Sequence, residues 1–451
     1  MRGPGGLTER MLRRRLGGTA AVGLSLAFAG AVVRPLHAQD PSQVRIGIRY
    51  EPGYVPGLVM PAVKPGVGLE EIAARADSIL RADFDYSDRF EIIPVPDSLG
   101  VGSTVNYGLW NQLGAVWLVT ADVSGRPDEP LLRLGLHDVV YGELKNVQAF
   151  ALPPPGSDGF RMAVHRASDA VVEWAVGEPG IAATRIAFRR KRSDGGSALI
   201  VMDSDGREAR SVARTRGWFY TPAFSSDGGR LLYQLLDEGG GTAVYELDLR
   251  TGARRVVSKR PGLNITPTYT PGGHIALARS VGDQTEIFEL GRGQLTHTIG
   301  GVALNPSYSP DGRRLAFEAT PLGQQQIYVQ ELAGGGRPAL ISRYVQGERG
   351  SAAGPDWSPR GDRIAYSGWV DGAFQIFTVN PDGTERRILT SRGINEDPSW
   401  APDGRHLVFS SEQRTGRGLW ILDTVTGRTR ILVSGHDDAV PDWSDRLPAG
   451  R

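Results

Sequence analysis

The residues best suited to chemistry in this chain are its histidines and carboxylates, because its 451 residues include no cysteine. A chain without cysteine has no disulfide, thiolate metal site or cysteine nucleophile. The histidines are His37, His137, His165, His274, His297, His406 and His436. They form no His-Glu-x-x-His pair and no zinc-type spacing. The sequence also lacks a Gly-x-Ser-x-Gly elbow, a Gly-x-Gly-x-x-Gly loop and a Walker loop. We therefore predict no catalytic residue, no metal site and no cofactor.

One short acidic segment has the opening spacing of a calcium-binding loop. Asp203, Asp205 and Gly206 follow one another as they would in such a loop. The closing glutamate is missing at the required distance, and the segment falls where a hairpin turn is expected. We interpret it as a turn.

Two polar clusters precede prolines that recur along the chain. They are Asn395–Asp397 and His436–Asp438. Because equivalent positions of a repeat lie on the same face of a closed array, both clusters are expected on one polar and largely acidic rim. This rim is either a protein-binding surface or a solvated edge without a partner, since loops are polar in general.

The elements that position these clusters are six copies of a Pro-x-aromatic segment. The prolines are Pro222, Pro267, Pro306, Pro355, Pro398 and Pro441. Their spacings of 45, 39, 49, 43 and 43 residues match the length of a four-stranded propeller blade. The aromatic residues that follow are Phe224, Tyr269, Tyr308, Trp357, Trp400 and Trp443. We interpret them as packing between blades and not as a ligand cage.

Tight turns follow most copies and lead into new strands. Pro310-Asp311-Gly312 and Pro402-Asp403-Gly404 are complete examples, since proline fixes φ, aspartate bonds its own backbone and glycine accepts positive φ. The pattern predicts a six-bladed β-propeller of WD40-like repeats at 182–445, with a tail at 446–451. Radial closure leaves only short strand edges, so such an array is soluble without disulfides.

The region before the repeats alternates strands and helices. Apolar residues recur at helical spacing over 69–80, with Glu70 and Glu71 in the first turn, and a second helical stripe covers 163–174. Apolar runs at 58–60, 90–93, 115–123, 131–139 and 147–152 predict strands, and 107–113 a short helix. We predict an α/β N-terminal domain at 39–181, followed by the all-β six-bladed propeller.

The N-terminus has the order of a secretory signal. Arg13, Arg14 and Arg15 precede a weakly apolar stretch that ends before Leu36-His37-Ala38. A charged region, an apolar region and a small-residue cleavage site predict a signal peptide at 1–38, with an uncleaved anchor as the alternative. The paired arginines leave both Sec and Tat export open. With a formal net charge of +1, no nucleic-acid partner is indicated.

With both domains in order, the chain resembles the TolB family, the periplasmic propellers of the Tol-Pal system. The segments that carry the resemblance are 106–115, 161–169 and the passage from 177 to 188. They include Asn106-Tyr107-Gly108 and the junction Thr184-Arg185-Ile186. The propeller repeats add less, because they occur in many proteins.

The resemblance implies a periplasmic adaptor, monomeric within a multiprotein envelope complex, that supports outer-membrane integrity and cell division. It implies that the lipoprotein Pal binds the propeller and that TolA binds the N-terminal segment beside Val44, Arg45 and Ile46. The Pal-binding residues that it implies are Asn264, Thr266, Asn305, Glu396, Asp397, His436, Asp437 and Asp438. Two other functions stay open: a propeller that binds a small cell-wall ligand, and an enzyme with its site in the channel.

Overall fold

In a computed structural model of the chain, the described residues are 54–95, 105–157, 159–298, 301–320, 323–334, 336–343, 350–414 and 416–448. The predicted signal peptide and the segment with Val44, Arg45 and Ile46 lie outside these residues. Among the helices described, none combines the length and apolarity that a membrane crossing requires.

The N-terminal domain is a mixed sheet with helices on both faces. Its elements are β1 (Gly57–Val59), β2 (Lys64–Pro65), α1 (Glu70–Tyr86), β3 (Glu91–Ile92), α2 (Tyr107–Gln112), β4 (Trp117–Arg126), β5 (Glu129–Asp138), β6 (Glu143–Ala151) and α3 (Gly159–Val176). The strand order is β3-β1-β4-β5-β6, parallel from β3 to β4 and antiparallel from β4 to β6. β2 pairs with β4 in parallel.

Successive side chains of β4 point to opposite faces of the sheet, so they pack against different helices. Val119 is buried under α1 and α3, while the next residue back, Leu118, packs with Trp110 of α2. The apolar spacing of α1 is explained by this packing, since Ile72, Ala76 and the other apolar positions of its stripe are buried.

The propeller has six four-stranded sheets, which confirms the predicted fold class. Its first three strands are β7 (Arg185–Lys191), β8 (Ser197–Asp203) and β9 (Arg210–Thr215). Blade 1 contains β10 (Trp218–Phe224), β11 (Arg230–Leu236), β12 (Thr242–Asp248) and β13 (Arg254–Ser258). Blade 2 contains β14 (Asn264–Tyr269), β15 (Ile275–Val281), β16 (Gln284–Glu289) and β17 (Gly293–Gln294). Blade 3 contains β18 (Ala303–Tyr308), β19 (Arg314–Ala319), β20 (Gln326–Glu331) and β21 (Ala339–Leu340).

The second half of the propeller continues the pattern. Blade 4 contains β22 (Ala352–Trp357), β23 (Ile364–Val370), β24 (Ala373–Val379) and β25 (Arg387–Ile388). Blade 5 contains β26 (Ile394–Trp400), β27 (His406–Gln413), β28 (Gly416–Asp423) and β29 (Thr429–Val433). The last strand, β30 (Asp438–Trp443), pairs with β7 and completes the closing blade, whose order is β30-β7-β8-β9. The two ends of the repeat region therefore share one sheet.

Each repeat proline lies on the innermost strand of a blade, directly after a backbone irregularity. The preceding residue has a φ of +41° to +59°, and the pairing register shifts there. The six residues are Thr221, Thr266, Asn305, Gly354, Asp397 and Val440. A left-handed conformation before proline is unfavourable for most of these residue types, so the surrounding blades must enforce it.

The residue after the repeat proline, which we call the latch position, joins neighbouring blades at four of its six occurrences. In four blades its side chain accepts a hydrogen bond from the backbone N–H of the repeat aromatic residue in the next blade. The latches are Ser307 to Trp357 at 2.9 Å, Asp356 to Trp400 at 2.7 Å, Ser399 to Trp443 at 3.1 Å and Asp442 to Phe224 at 2.8 Å. The Pro-x-aromatic repeat thus encodes both the packing and the hydrogen bond between blades.

The two faces of the propeller differ in what contacts them. The turns between first and second strands contact the N-terminal domain, as where Arg405 donates to the Asp88 carbonyl at 2.7 Å. We call this the near face. The innermost strands begin at the opposite end of the channel, which we call the far face.

Candidate functional site: the far face of the propeller

All eight residues that the family resemblance implies for Pal binding lie within the first four residues of an innermost strand or in the loop just before it, towards the far face. They come from four blades: β14, β18, β26 and β30 with its preceding loop. The structure thus gathers them at one end of the channel, although it does not give them the same exposure.

Two of the eight are fully buried and hydrogen-bonded within the fold. Asn264 is fully buried, accepts from Ser258 at 2.6 Å and donates to the Arg260 carbonyl at 2.7 Å. Asp438 is also fully buried and receives both Arg190 nitrogens at 2.8 Å. Both side chains fix the start of an innermost strand.

Thr266 and Asn305 belong to a chain of hydrogen bonds around the channel. The Asn305 N–H donates to the Thr266 hydroxyl at 3.1 Å, and the Asn305 amide donates to Glu318 at 2.9 Å. Burial raises the pKa of Glu318, against the opposing effect of these hydrogen bonds. This part of the rim is polar and internally bonded.

The remaining four residues form the more open part of the rim. Glu396, Asp397 and Asp437 are half-buried, and His436 is exposed. Glu396 accepts from Arg417 at 3.4 Å, and Asp437 lies 3.8 Å from the same guanidinium. Burial raises the pKa values of Glu396 and Asp397, and the nearby Asp397 raises that of Glu396 further.

The structure adds two basic residues to this rim that sequence reasoning missed. Arg417 lies on β28 and Arg189 on β7, in different blades. The Arg189 guanidinium stacks over the Trp218 and Tyr220 rings, with its carbon 5.0 and 5.5 Å from their centroids. Only the strand register reveals the equivalence of Arg189 with Gln234, Glu318, Ser367 and Ser410, because its partner strand β30 comes last in the chain. The rim therefore has mixed charge and is not simply acidic.

The near face contains two buried groups with the donor set of a metal site. They are His165 with Asp203 and Asp205, and His406 with Asp88 and Asp423. Arginine already neutralises both groups. Arg161 pairs with Asp203 and Asp205, while Arg405 pairs with Asp423 and Arg430 with Asp88. Guanidinium groups at these distances oppose a divalent cation electrostatically, and the arrangement instead joins the two domains.

A groove of about 950 Å³ also opens on the near face. Its lining includes Arg75, Arg161 and Arg210 from both domains, with Asp203 and Glu208 among them. Arg161 is engaged by Asp203, and Arg75 lies over the Phe160 ring at 5.2 Å. The groove is charged with both signs, and its arginines are partly engaged by the fold.

Comparisons with known proteins agree with this architecture. A family model described as the TolB beta propeller domain matches residues 172–447. The Tol-Pal system protein TolB of Bordetella parapertussis is 31% identical over 380 residues, covering 81% of this chain and 82% of the relative. The protein of the same name from Bordetella pertussis is 30% identical over 380 residues, covering 81% and 83%.

The fold is shared with a solved structure. The crystal structure of TolB from Acinetobacter baumannii superposes with a TM-score of 0.75 at 23% identity, covering 87% of this chain and 98% of that one. The matched propeller region spans more than half of the chain, and the relatives cover most of its length. The chain therefore belongs to the TolB family of Tol-Pal system β-propeller proteins.

Proposed function

We propose that this protein is a non-catalytic periplasmic adaptor of the Tol-Pal system that binds Pal through the far face of its propeller. The observation that supports this proposal most is that the two faces of the propeller have different contacts. The near face holds the N-terminal domain, whereas the far face presents a polar rim with exposed His436 and half-buried Glu396 and Asp437. A mixed-charge rim around a concave channel mouth suits a polar protein partner.

We further propose that TolA binds the segment with Val44, Arg45 and Ile46, by adding a strand to a sheet edge of the partner. In this reading the two partners engage different parts of the chain. The protein would then support outer-membrane integrity and cell division as a link between them.

A non-catalytic role is supported by two histidines that have a structural role away from the channel mouth. His165 and His406 are fully buried in ion pairs at the domain junction, where each contacts an aspartate at 2.8 Å. Neither is placed at the channel mouth, where a substrate would enter.

The test is calorimetric titration of residues 39–451 with the cognate Pal periplasmic domain. The variant Glu396→Ala/His436→Ala should weaken binding by tenfold or more, about 1.4 kcal/mol. The control Glu238→Gln removes one exposed charge from a far-face loop between β11 and β12 and should bind within about twofold of wild type.

The outcomes separate the alternatives. Binding that is unchanged in the rim variant would keep the adaptor role but move the interface. Absence of Pal binding, together with stabilisation by cell-wall sugars or peptides, would favour the small-ligand function instead. For TolA, a chain that starts at residue 54 should lose binding to the TolA soluble domain and keep binding to Pal.

A further inference from the structure

A repeated position near the far face explains how neighbouring blades hold the strained residue before each proline. The position lies on the second strand of each blade. Its residue pairs with the innermost-strand residue that stands two places before the repeat proline, and we call it the acceptor position. In four blades its side chain accepts the N–H of the pre-proline residue of the next blade. These bonds run from Thr266 to Gln234, Gly354 to Glu318, Asp397 to Ser367 and Val440 to Ser410, at 3.0 to 3.3 Å.

Blade 2 and the closing blade depart from this rule. Ala278 occupies the acceptor position of blade 2, where the Asn305 N–H is received by Thr266 instead. In the closing blade the acceptor position is Arg189, opposite Ala439. A guanidinium has donors and no acceptor, so it cannot receive the Thr221 N–H.

Arg189 is buried without an anionic partner. It is 8% exposed, its Nε has no hydrogen-bond acceptor, and no carboxylate in the described part of the chain forms an ion pair with it. The adjacent Arg190 shows that the same strand can pair an arginine, because its Nε and Nη2 both donate to Asp438. Arg189 instead lies over two aromatic rings.

The carboxylates around Arg189 are engaged by other groups. Glu396 and Asp437 both face Arg417, and Asp397 accepts from Ser410 at 3.2 Å. Burial lowers the pKa of Arg189, and Arg417 lowers it further, while Asp437 and Asp397 act in the opposite direction. The guanidinium stays charged at neutral pH, because the ordinary pKa of arginine lies far above neutrality. The rim therefore contains one buried guanidinium that lies near carboxylates but forms no ion pair or Nε hydrogen bond with any of the described residues.

A buried, unpaired charge costs stability, and hydrophobic residues of similar size commonly serve the fold better. A residue that breaks a repeat rule at such a cost is expected at a functional site. The natural complement of a guanidinium fork is a carboxylate, which accepts two parallel hydrogen bonds. The acidic groups of the rim would repel a dense polyanion, so a single carboxylate on a mixed-charge surface fits best.

We propose that Arg189 receives one carboxylate side chain, Asp or Glu, from the protein partner that docks on the far face. This rests on the proposed function, and it identifies which group of the partner enters the channel mouth. Arg189 then acts as the anchor of the interface, in a site screened from water by Trp218 and Tyr220.

The main test compares Arg189→Met with Arg216→Met. Methionine keeps much of the stem volume and removes the charge, and Arg216 is an exposed arginine in the far-face loop before β10. In titrations with the Pal periplasmic domain, we expect Arg189→Met to weaken binding by roughly 30-fold or more and Arg216→Met by less than about threefold. Equal affinity of Arg189→Met and wild type would overturn the proposal and leave the adaptor function standing.

A second measurement does not depend on Pal. Thermal unfolding is followed with N-acetylglutamate and, at matched ionic strength, with N-acetylglutamine. Stabilisation of wild type by the carboxylate compound only, lost in Arg189→Met, would support the carboxylate site even if Pal fails to bind. If Pal does not bind and neither compound stabilises the protein, both proposals fail.

Stability of the variant without any partner separates an anchor from a structural residue. If Arg189 serves binding, Arg189→Met should be as stable as wild type or more stable, because an unpaired buried charge is removed. A midpoint several degrees below wild type would show that Arg189 holds the closing blade together, against the proposal.

Discussion

Two histidines are fully buried at the junction of the N-terminal domain and the propeller, and each is enclosed by aspartates. On α3, the His165 Nδ1 contacts Asp83 at 2.8 Å, and Ser168 donates to the same carboxylate at 2.6 Å. Burial opposes the charged imidazole, but Asp83, Asp205 and Asp203 outweigh it and raise the pKa of His165 to about 8. A helix face that looks polar in the sequence is therefore a charged core.

This histidine should make stability depend on pH in the neutral range. The folded-state pKa of about 8 lies above the ordinary value of 6.5, so the folded protein binds the proton more tightly. The stabilisation is complete below pH 6.5 and is lost as the pH rises through 8. Its size is about 2 kcal/mol. Urea unfolding at pH 6 and 9 should show a larger loss of stability in wild type than in His165→Gln, which keeps only the contribution of His406, whose pKa, against the effect of burial, is raised by Asp403 and Asp88.

A second variant checks the cause. Asp83→Asn removes the carboxylate that favours the charged imidazole, and it should lose most of the same pH dependence. Identical pH profiles for wild type and His165→Gln would contradict the assignment.

At the scale of the element, the repeat segment is the unit that joins one blade to the next. The latch position after the proline accepts an N–H from the following blade, and the aromatic residue that donates it packs between the two. Since a buried N–H without an acceptor is costly, each latch contributes to the closure of the ring. Ser399 is important for closing the ring, because its hydroxyl joins blade 5 to the last strand, β30.

Replacing Ser399 with alanine should therefore cost about 1–3 kcal/mol of the free energy of unfolding, since Trp443 keeps a buried N–H without its acceptor. The matched control is Thr268→Ala, at the same repeat position in blade 2, where the hydroxyl contacts the carbonyl of Tyr269 in its own strand at 3.4 Å. Urea unfolding should show a much smaller change for the control. Equal losses in the two variants would mean that the latch bond is not the cause.

At the scale of the whole molecule, the buried carboxylate of Asp88 is one of the groups that join the two domains. Asp88 lies at the end of α1 and contacts three cationic groups of blade 5: His406 at 3.1 Å, Arg430 at 2.6 Å and Arg428 at 3.0 Å. Burial opposes its charge, but His406 and Arg430 outweigh burial and lower its pKa. The domain junction is thus ionic as well as apolar.

Asp88→Asn should weaken this junction by about 3–5 kcal/mol, because the buried His406 and the largely buried Arg430 lose their common anion, together with the half-exposed Arg428. Asparagine tolerates the φ of +50° at this position, so the backbone is retained. Calorimetry should show one unfolding transition for wild type and a separate, earlier transition of the N-terminal domain for the variant.

The control for this prediction is Asp85→Asn. Asp85 lies 3.5 Å from Arg428, and both side chains are about half exposed. Its loss should change the free energy of unfolding by less than about 0.5 kcal/mol. A single transition in Asp88→Asn at the temperature of wild type would show that the junction does not depend on this carboxylate.

Local patterns determined most of the architecture. The spacing of Pro222, Pro267 and the later prolines predicted six blades, and the apolar periodicity predicted α1, α3 and the strands of the first domain. These features are periodic because burial of one face imposes the repeat on the sequence itself. The family resemblance likewise selected residues that the fold places at one end of the channel.

The tertiary structure decided what those patterns leave open. Pairing of β30 with β7 joins residues about 250 apart, such as Arg190 and Asp438, and no local pattern specifies such a contact. Burial separates Asn264 and Asp438, which serve the fold, from Glu396 and His436, which face outward. The unpaired state of Arg189 became visible only when the partners of its repeat equivalents were known, because charge compensation depends on distances between blades and not on order along the chain.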